Sequence, residues 1–153
     1  MTHRIGFMRN HATPEVLAAH LRECDFAFKP PLSQRVDIPT YARKIHEKAE
    51  RFEAWIDNRL VGLVAGYLNM EDRSGFITNV SVVADARGTG IAFSLCSQYL
   101  QYAQERNLKL IALEVGKENA TAIRLYEKLG FDMQTAREFT LTLQFDLATG
   151  PQQ

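Results

Sequence analysis

Between Gly75 and Val115 the apolar residues change period twice, and no other feature of the chain constrains its fold as tightly. Gly75–Val83 alternates, with Phe76, Thr78, Val80 and Val82 predicted on one face and Ile77, Asn79 and Ser81 on the other. Gly90–Arg106 then sets Ala92, Cys96, Tyr99 and Ala103 three or four residues apart, which predicts a helix. Leu110–Val115 is a short apolar run of the kind found in buried strands. Strand, helix and strand in that order make a crossover unit with parallel strands.

The flanks read differently. Phe52, Ala54 and Ile56 alternate with charged or aromatic neighbours, Asp57-Asn58 supplies a turn, and Leu60–Leu68 is a long apolar run before the polar turn Met70–Ser74. That pattern predicts antiparallel hairpins. Further on, Phe139, Leu141, Leu143, Phe145 and Leu147 alternate with polar residues as a final strand. Thr13-Pro14 opens a helix carrying Val16, Leu17 and Leu21, and the Pro39 region opens another carrying Tyr41, Ile45 and Ala49. Pro30 and Pro31 break the chain between them into a loop over Phe26–Asp37. Asn119 and Gly130 bracket a helix with Ala122, Ile123, Tyr126 and Leu129 on one face. The expected fold is α+β, a mixed and mostly antiparallel sheet flanked by helices.

With 153 residues, one domain over 1–153 is expected, ending in a flexible tail at 148–153. Eighteen Lys and Arg balance eighteen Asp and Glu, so no overall field draws the protein to nucleic acid or to an anionic membrane. No apolar run approaches the ~20 residues of a membrane helix, and Met1–Asn10 lacks the apolar stretch of a signal peptide. Cys24 and Cys96 form no CxxC pair, which argues for reduced thiols in a cytoplasm. His3, His11, His20 and His46 have no paired-ligand spacing, so no metal is expected.

The chemistry starts at Val82–Ala92, a strand running through a turn with two glycines into a helix. Glycines let successive amides approach an anion, and the first turn of the helix adds partial positive charge. Arg87 beside the turn adds a guanidinium. A Walker loop is excluded because no Gly-Lys-Ser/Thr ending exists, and the dinucleotide fingerprint GxGxxG fails at its third glycine, where Phe93 stands. The glycines also suit a tight turn that holds nothing.

At this point the sequence resembles the GNAT acyltransferases. Arg87-Gly88-Thr89-Gly90-Ile91-Ala92 matches the Q/R-x-x-G-x-G/A signature of that family, and Asn119 to Phe131 resembles its second motif, N-x-x-A-I-x-L-Y-x-K-x-G-F. The resemblance covers about Phe52 to Leu147; the first fifty residues match only in having two helices before the hairpin. Ala84 and Ala92 depart from the family's usual Pro and Gly. The resemblance implies acetyl-CoA as co-substrate. Val80, Ser81 and Val82 would pair through their backbones with the pantetheine arm. Gly88, Thr89, Gly90, Ile91, Ala92 and Phe93, with Arg87 at the edge, would hold the pyrophosphate, and Asn119 would contact the arm.

An amine must lose a proton to attack a thioester, and an alkyl amine with a pKa near ~10 is mostly protonated at neutral pH. Glu114 interrupts the apolar run at the end of its strand, where partial burial is expected to raise its pKa and fit it as the base. The ribosomal-protein alanine N-acetyltransferases, which Leu113-Glu114-Val115 followed by Asn119 and Tyr126 resembles, imply the same role. The alternatives are a strand-end carboxylate paired with Lys109 or Lys117, or a Glu that only shapes the pocket. Tyr126 is the candidate acid for the departing sulfur, or else a core aromatic, and the Val82 N–H is a donor for the thioester oxygen. Neither cysteine is expected near the reacting end, and Cys96 is expected in the core, which favours direct transfer over a covalent enzyme intermediate.

For the acceptor, Phe28–Arg35 is the expected wall. Arg35 is the candidate contact for a carboxylate or phosphate, and Asn79 a further acceptor contact beside Ser81; a solvated basic helix and a solvated sheet face are the alternatives. Trp55 is expected to be a packing residue. The expected activity is acetylation of a small-molecule amine by a cytoplasmic monomer or homodimer. Acetylation of peptide N-termini and a non-catalytic CoA-binding module are the alternatives.

Overall fold

The structure is a computed structural model that describes residues 4–147; the expected tail at 148–153 lies outside the described residues. The chain runs β1 (Gly6–Arg9), α1 (Pro14–Cys24), α2 (Ile38–Lys48), β2 (Glu50–Ile56), β3 (Arg59–Asn69), β4 (Ser74–Val82), α3 (Ile91–Glu105), β5 (Leu110–Gly116), α4 (Ala120–Leu129), β6 (Asp132–Ala136) and β7 (Thr140–Asp146). Seven strands form one sheet in the order β1-β2-β3-β4-β5-β7-β6. Among the described residues only β4 and β5 pair in parallel, across the crossover helix α3, and every other pair is antiparallel.

The helix starts follow from their caps. The Thr13 side chain accepts from the Val16 amide, Asp37 from Thr40 and Asn119 from Ala122, each at 3.2 Å. The helices cover the sheet with two apolar clusters. One packs α3 and α4 on it through Leu95, Cys96, Tyr99 and Tyr126. The other packs α1 and α2 on it through Leu17, Leu21 and Ile45. Tyr99 reaches the sheet because two positions have no side chain: a Cβ on Gly66 or Gly75 would stand 2.2 or 2.6 Å from its ring or hydroxyl.

One irregularity positions the site. In the β3–β4 ladder Ala65 pairs with Asn79 and Gly66 with Ile77, so Thr78 is an extra residue. The bulge breaks the alternation expected across Gly75–Val83. Ile77 packs in the α3 cluster, as do Val80 and Val82, whereas Asn79 and Ser81 turn to the α1–α2 side instead of sharing a face with Ile77. Tyr41 of α2 donates to the Thr78 carbonyl at 3.0 Å and holds the bulge in place.

Three further departures have local causes. β1 and β6 are short edge strands whose residues are all exposed, so neither shows an alternating pattern in the sequence. Phe139 precedes the last strand and is 74% exposed, because β7 begins at Thr140, opposite Gly116. Arg51 and Glu53 are buried charges rather than an exposed face. They pair at 3.3 Å, and Glu53 also accepts from the Ala12 amide and from Trp55, tying the chain before α1 to β2.

Candidate active site

β4 and β5 pair only as far as Ile77 and Leu113. Beyond that point β4 stays with β3 to Val82 and β5 stays with β7 to Gly116, so the two strands part. Val83 donates its amide to Val61. By the alternation of an antiparallel ladder, the backbone of Ser81 also faces β3, and the N–H and C=O groups of Val80 and Val82 face the gap. Val80 and Val82 thus turn backbone groups to the gap, and Ser81 turns its side chain to the cleft. The gap opens into a cleft of about 770 Å³.

At one end of the cleft lies the glycine turn. Gly88 and Gly90 have φ near +80°, which L side chains rarely adopt, and a Cβ at either would touch nothing within 4 Å. The glycines are therefore there for the backbone conformation, and they face open space. The first bond of α3 runs from Ser94 N–H to Gly90, so the six amides from Gly88 to Phe93 have no acceptor among the described residues. Arg87 Nε donates to the Val82 carbonyl at 3.2 Å, leaving its terminal nitrogens at the rim. Arg59 binds Asp85 at 3.1 Å and so neutralises the acid nearest the turn. Thr89 is the exception among the expected cofactor residues: it does not line the cleft, and its hydroxyl instead donates to the Ala86 carbonyl at 2.6 Å.

Glu114 and Tyr126 line the same cleft. The partial burial expected of Glu114 does not occur, because the parting of β4 and β5 leaves it exposed, and it makes no ion pair with Lys109, Lys117 or any other described residue. Tyr126 is buried in the α3–α4 cluster, edge-on to Phe131, yet its hydroxyl has no hydrogen-bond partner among the described residues. Burial, then the nearby Cys96, pushes the phenol well above its ordinary value, so it stays protonated at neutral pH. The Asn119 carbonyl oxygen caps α4 while the residue lines the cleft.

On the acceptor side the loop between α1 and α2 crosses the end of β5. Its Lys29 carbonyl stands 2.8 Å from where a Cβ on Gly116 would lie, so only glycine admits it. Asp25 ties the loop by accepting from the Ser33 amide at 2.8 Å and its hydroxyl at 2.6 Å. Arg35 lines the cleft, exposed and without a side-chain partner among the described residues.

Asn79 and Ser81 also line the cleft, each only 5% exposed, so the solvated sheet face does not apply. The Ser81 hydroxyl lies 2.8 Å from both Asn79 Oδ1 and Nε2 of His20 in α1. His20 Nδ1 lies 3.0 Å from the Leu60 carbonyl, and burial lowers its pKa to about 4. Cys24 corrects another expectation. It lines the cleft, 3.8 Å from His20 Nε2, although the sequence placed no cysteine near the reacting end. Burial, then Glu23, raises its thiol to about 11, so it is no ready nucleophile; Cys96 lies in the core at about 12. His20 and Cys24 are four residues apart on one helix face, which was the available sequence signal, but the other partners of His20 lie 40 and 61 residues away.

Among the described residues no group of three His, Cys, Asp or Glu can hold a metal, and no helix is long and apolar enough to cross a membrane.

Residues 15–131 match the acetyltransferase (GNAT) family. The chain is 37% identical over 79 residues to the probable N-acetyltransferase camello of Xenopus laevis, covering 51% of this chain and 36% of that protein. It is 35% identical over 78 residues to N-acetylaspartate synthetase of Homo sapiens, covering 51% of this chain and 26% of that protein. The chain thus spans well under half the length of these relatives. In fold it is similar to the ribosomal-protein-S18-alanine N-acetyltransferase of Escherichia coli (TM-score 0.75, 20% identity, 99% of this chain and 97% of that one). It is likewise similar to PaiA N-acetyltransferase of Thermoplasma acidophilum in complex with coenzyme A (TM-score 0.73, 13% identity, 95% and 99%).

Proposed function

Because the chain belongs to the GNAT acetyltransferase family, we propose that it transfers the acetyl group of acetyl-CoA to the primary amine of a small molecule bound in the same cleft. The observation that carries this is the parting of β4 and β5 at Ile77 and Leu113, with the unpaired amides of Gly88, Gly90, Ile91, Ala92 and Phe93 at one end and Glu114 and Tyr126 on its walls. The fit to coenzyme A is chemical. A diphosphate wants clustered N–H donors at a helix start and an adjacent guanidinium, and Gly88–Phe93 with Arg87 supply both. The amide-bearing arm wants an open strand edge, and the Val80 backbone with the Val82 N–H presents one, the Val82 carbonyl being taken by Arg87.

Bound acetyl-CoA supplies an activated acyl thioester. Glu114, exposed to the cleft and free of ion pairs among the described residues, takes the proton of the amine. The Val82 N–H, on the open edge, donates to the thioester oxygen as charge develops there. Tyr126 keeps its proton in the resting protein and gives it to the departing sulfur. The raised thiol of Cys24 supports a direct transfer with both substrates bound.

The tied α1–α2 loop over Gly116 narrows the acceptor side, which favours a small amine, and Arg35 gives it a cation for a carboxylate or phosphate. N-acetylaspartate synthetase, by its name, forms a product from such an acidic amino acid. A thiol-release assay with acetyl-CoA tests the reading against amino acids, amines, amino sugars and peptides with a free N-terminus. Turnover of anionic small amines, with acceptor KM raised about tenfold or more in Arg35→Ala, is expected. Turnover of peptides alone, or an Arg35→Ala variant unchanged on every anionic acceptor, contradicts it.

A further inference from the structure

We propose that His20 is a positioning residue that fixes the Ser81 hydroxyl as a hydrogen-bond acceptor for an N–H of the amine substrate, turning the amine's lone pair towards the thioester. The proposal rests on the acetyltransferase reading of the cleft. It comes from counting protons along a buried chain of groups that ends at the cleft wall.

The Leu60 carbonyl can only accept, so His20 Nδ1, 3.0 Å away, carries a hydrogen. The ring is buried and, with a pKa of about 4, holds no second proton at neutral pH. The charged groups acting on it are Glu23 from its own helix and Arg59 from the start of β3, whose effects oppose each other and are smaller than that of burial. Nε2 is therefore a bare lone pair. Two donors stand near it, the Ser81 hydroxyl at 2.8 Å and the Cys24 thiol at 3.8 Å. The hydroxyl is both closer and the stronger donor, so its proton goes to the ring.

Ser81 has one proton, and it is now spent. Asn79, whose Oδ1 stands 2.8 Å away, must then be turned end for end to meet the serine oxygen through its amide N–H, the two ends of the carboxamide being isosteric, and its oxygen then faces the Tyr41 hydroxyl, which can donate to it. Among the described residues the oxygen's second lone pair meets only the Cys24 thiol, a weaker donor than an amine N–H, and Ser81 lines the cleft. An unconstrained serine would serve as donor or acceptor by rotating its hydroxyl. This one is held as an acceptor, which suits an N–H and opposes a carbonyl or carboxylate at that spot.

The test uses the full chain with Ser81→Ala, His20→Phe, His20→Gln and the double variant Ser81→Ala/His20→Phe. Acceptor kcat/KM is measured together with calorimetric CoA affinity, and a ¹⁵N-histidine spectrum is recorded at pH 7. The expected spectrum shows His20 neutral with its hydrogen on Nδ1. Ser81→Ala and His20→Phe should each lower acceptor kcat/KM by about 10- to 100-fold with CoA affinity unchanged, and the double variant should lose no more than either. Glutamine can donate to Leu60 and accept from Ser81, so His20→Gln should recover most of the rate. A hydrogen on Nε2, additive losses, or a wild-type acceptor kcat/KM in Ser81→Ala overturns the proposal. The serine variant decides the matter even if His20→Phe does not fold. Wild-type protein that acetylates no amine would overturn the acetyltransferase reading as well, whereas turnover that persists in the variants overturns this proposal alone.

Discussion

Tyr126 is a core aromatic and a residue of the cleft wall at once. Its ring belongs to the core, as its place on the apolar face of α4 predicts, while its hydroxyl lines the cleft with its proton held by burial. Removing only that hydroxyl in Tyr126→Phe should lower kcat by about 100-fold and leave CoA affinity unchanged, as calorimetry beside steady-state rates would show. Glu114→Gln should lower kcat/KM for the amine by a similar factor of about 100, because the amide cannot take the proton. The cap at Asn119 and the turn at Gly88 and Gly90 were legible in the sequence because they depend on neighbours a few residues away. His20 and Cys24 were not, since what they do is decided by Leu60 and Ser81 on distant strands. Glu114 lines the cleft, but its exposure follows from where two strands part, which no local pattern records.

At the scale of elements, the crossover unit and the hairpins were legible because period two and period three-to-four are distinct over nine or more residues. The bulge at Thr78 was not. An extra residue leaves the apolar and polar letters in a plausible alternation while changing which face each occupies. The same stretch of sheet offers a test of packing. The ring of Tyr99 lies where a side chain on Gly66 would be, and Gly66 sits next to the bulge. Gly66→Ala should lower stability by about 1–3 kcal/mol in urea unfolding, through overpacking. An unchanged midpoint would mean that the ring moves aside without cost.

On the scale of the whole molecule, burial of His20 links folding to pH. Its folded pKa, about 4, lies below the ordinary 6.5, so the unfolded chain binds more protons between these values and stability falls as pH drops through that window. The difference corresponds to about 3 kcal/mol, fully lost once pH is below about 4. Asp25 and Asp37 are held below the ordinary carboxylate value by Ser33 and Thr40, so their contributions are lost as pH falls into the acid range. His20→Gln should flatten the unfolding free energy between pH 6.5 and 4 relative to wild type, a comparison that urea titrations at several pH values would make.

The arrangement of the molecule as a whole, a sheet split between two strands with a cradle of amides at the split, is also what the proposed function depends on most. Calorimetric titration of the full chain with coenzyme A, beside Gly90→Asp, addresses it directly. The account predicts one site in the wild type and binding about 100-fold weaker or lost when a carboxylate stands in the cradle, with the circular dichroism spectrum unchanged. Equal affinity in the two proteins, or no heat from the wild type, would contradict it.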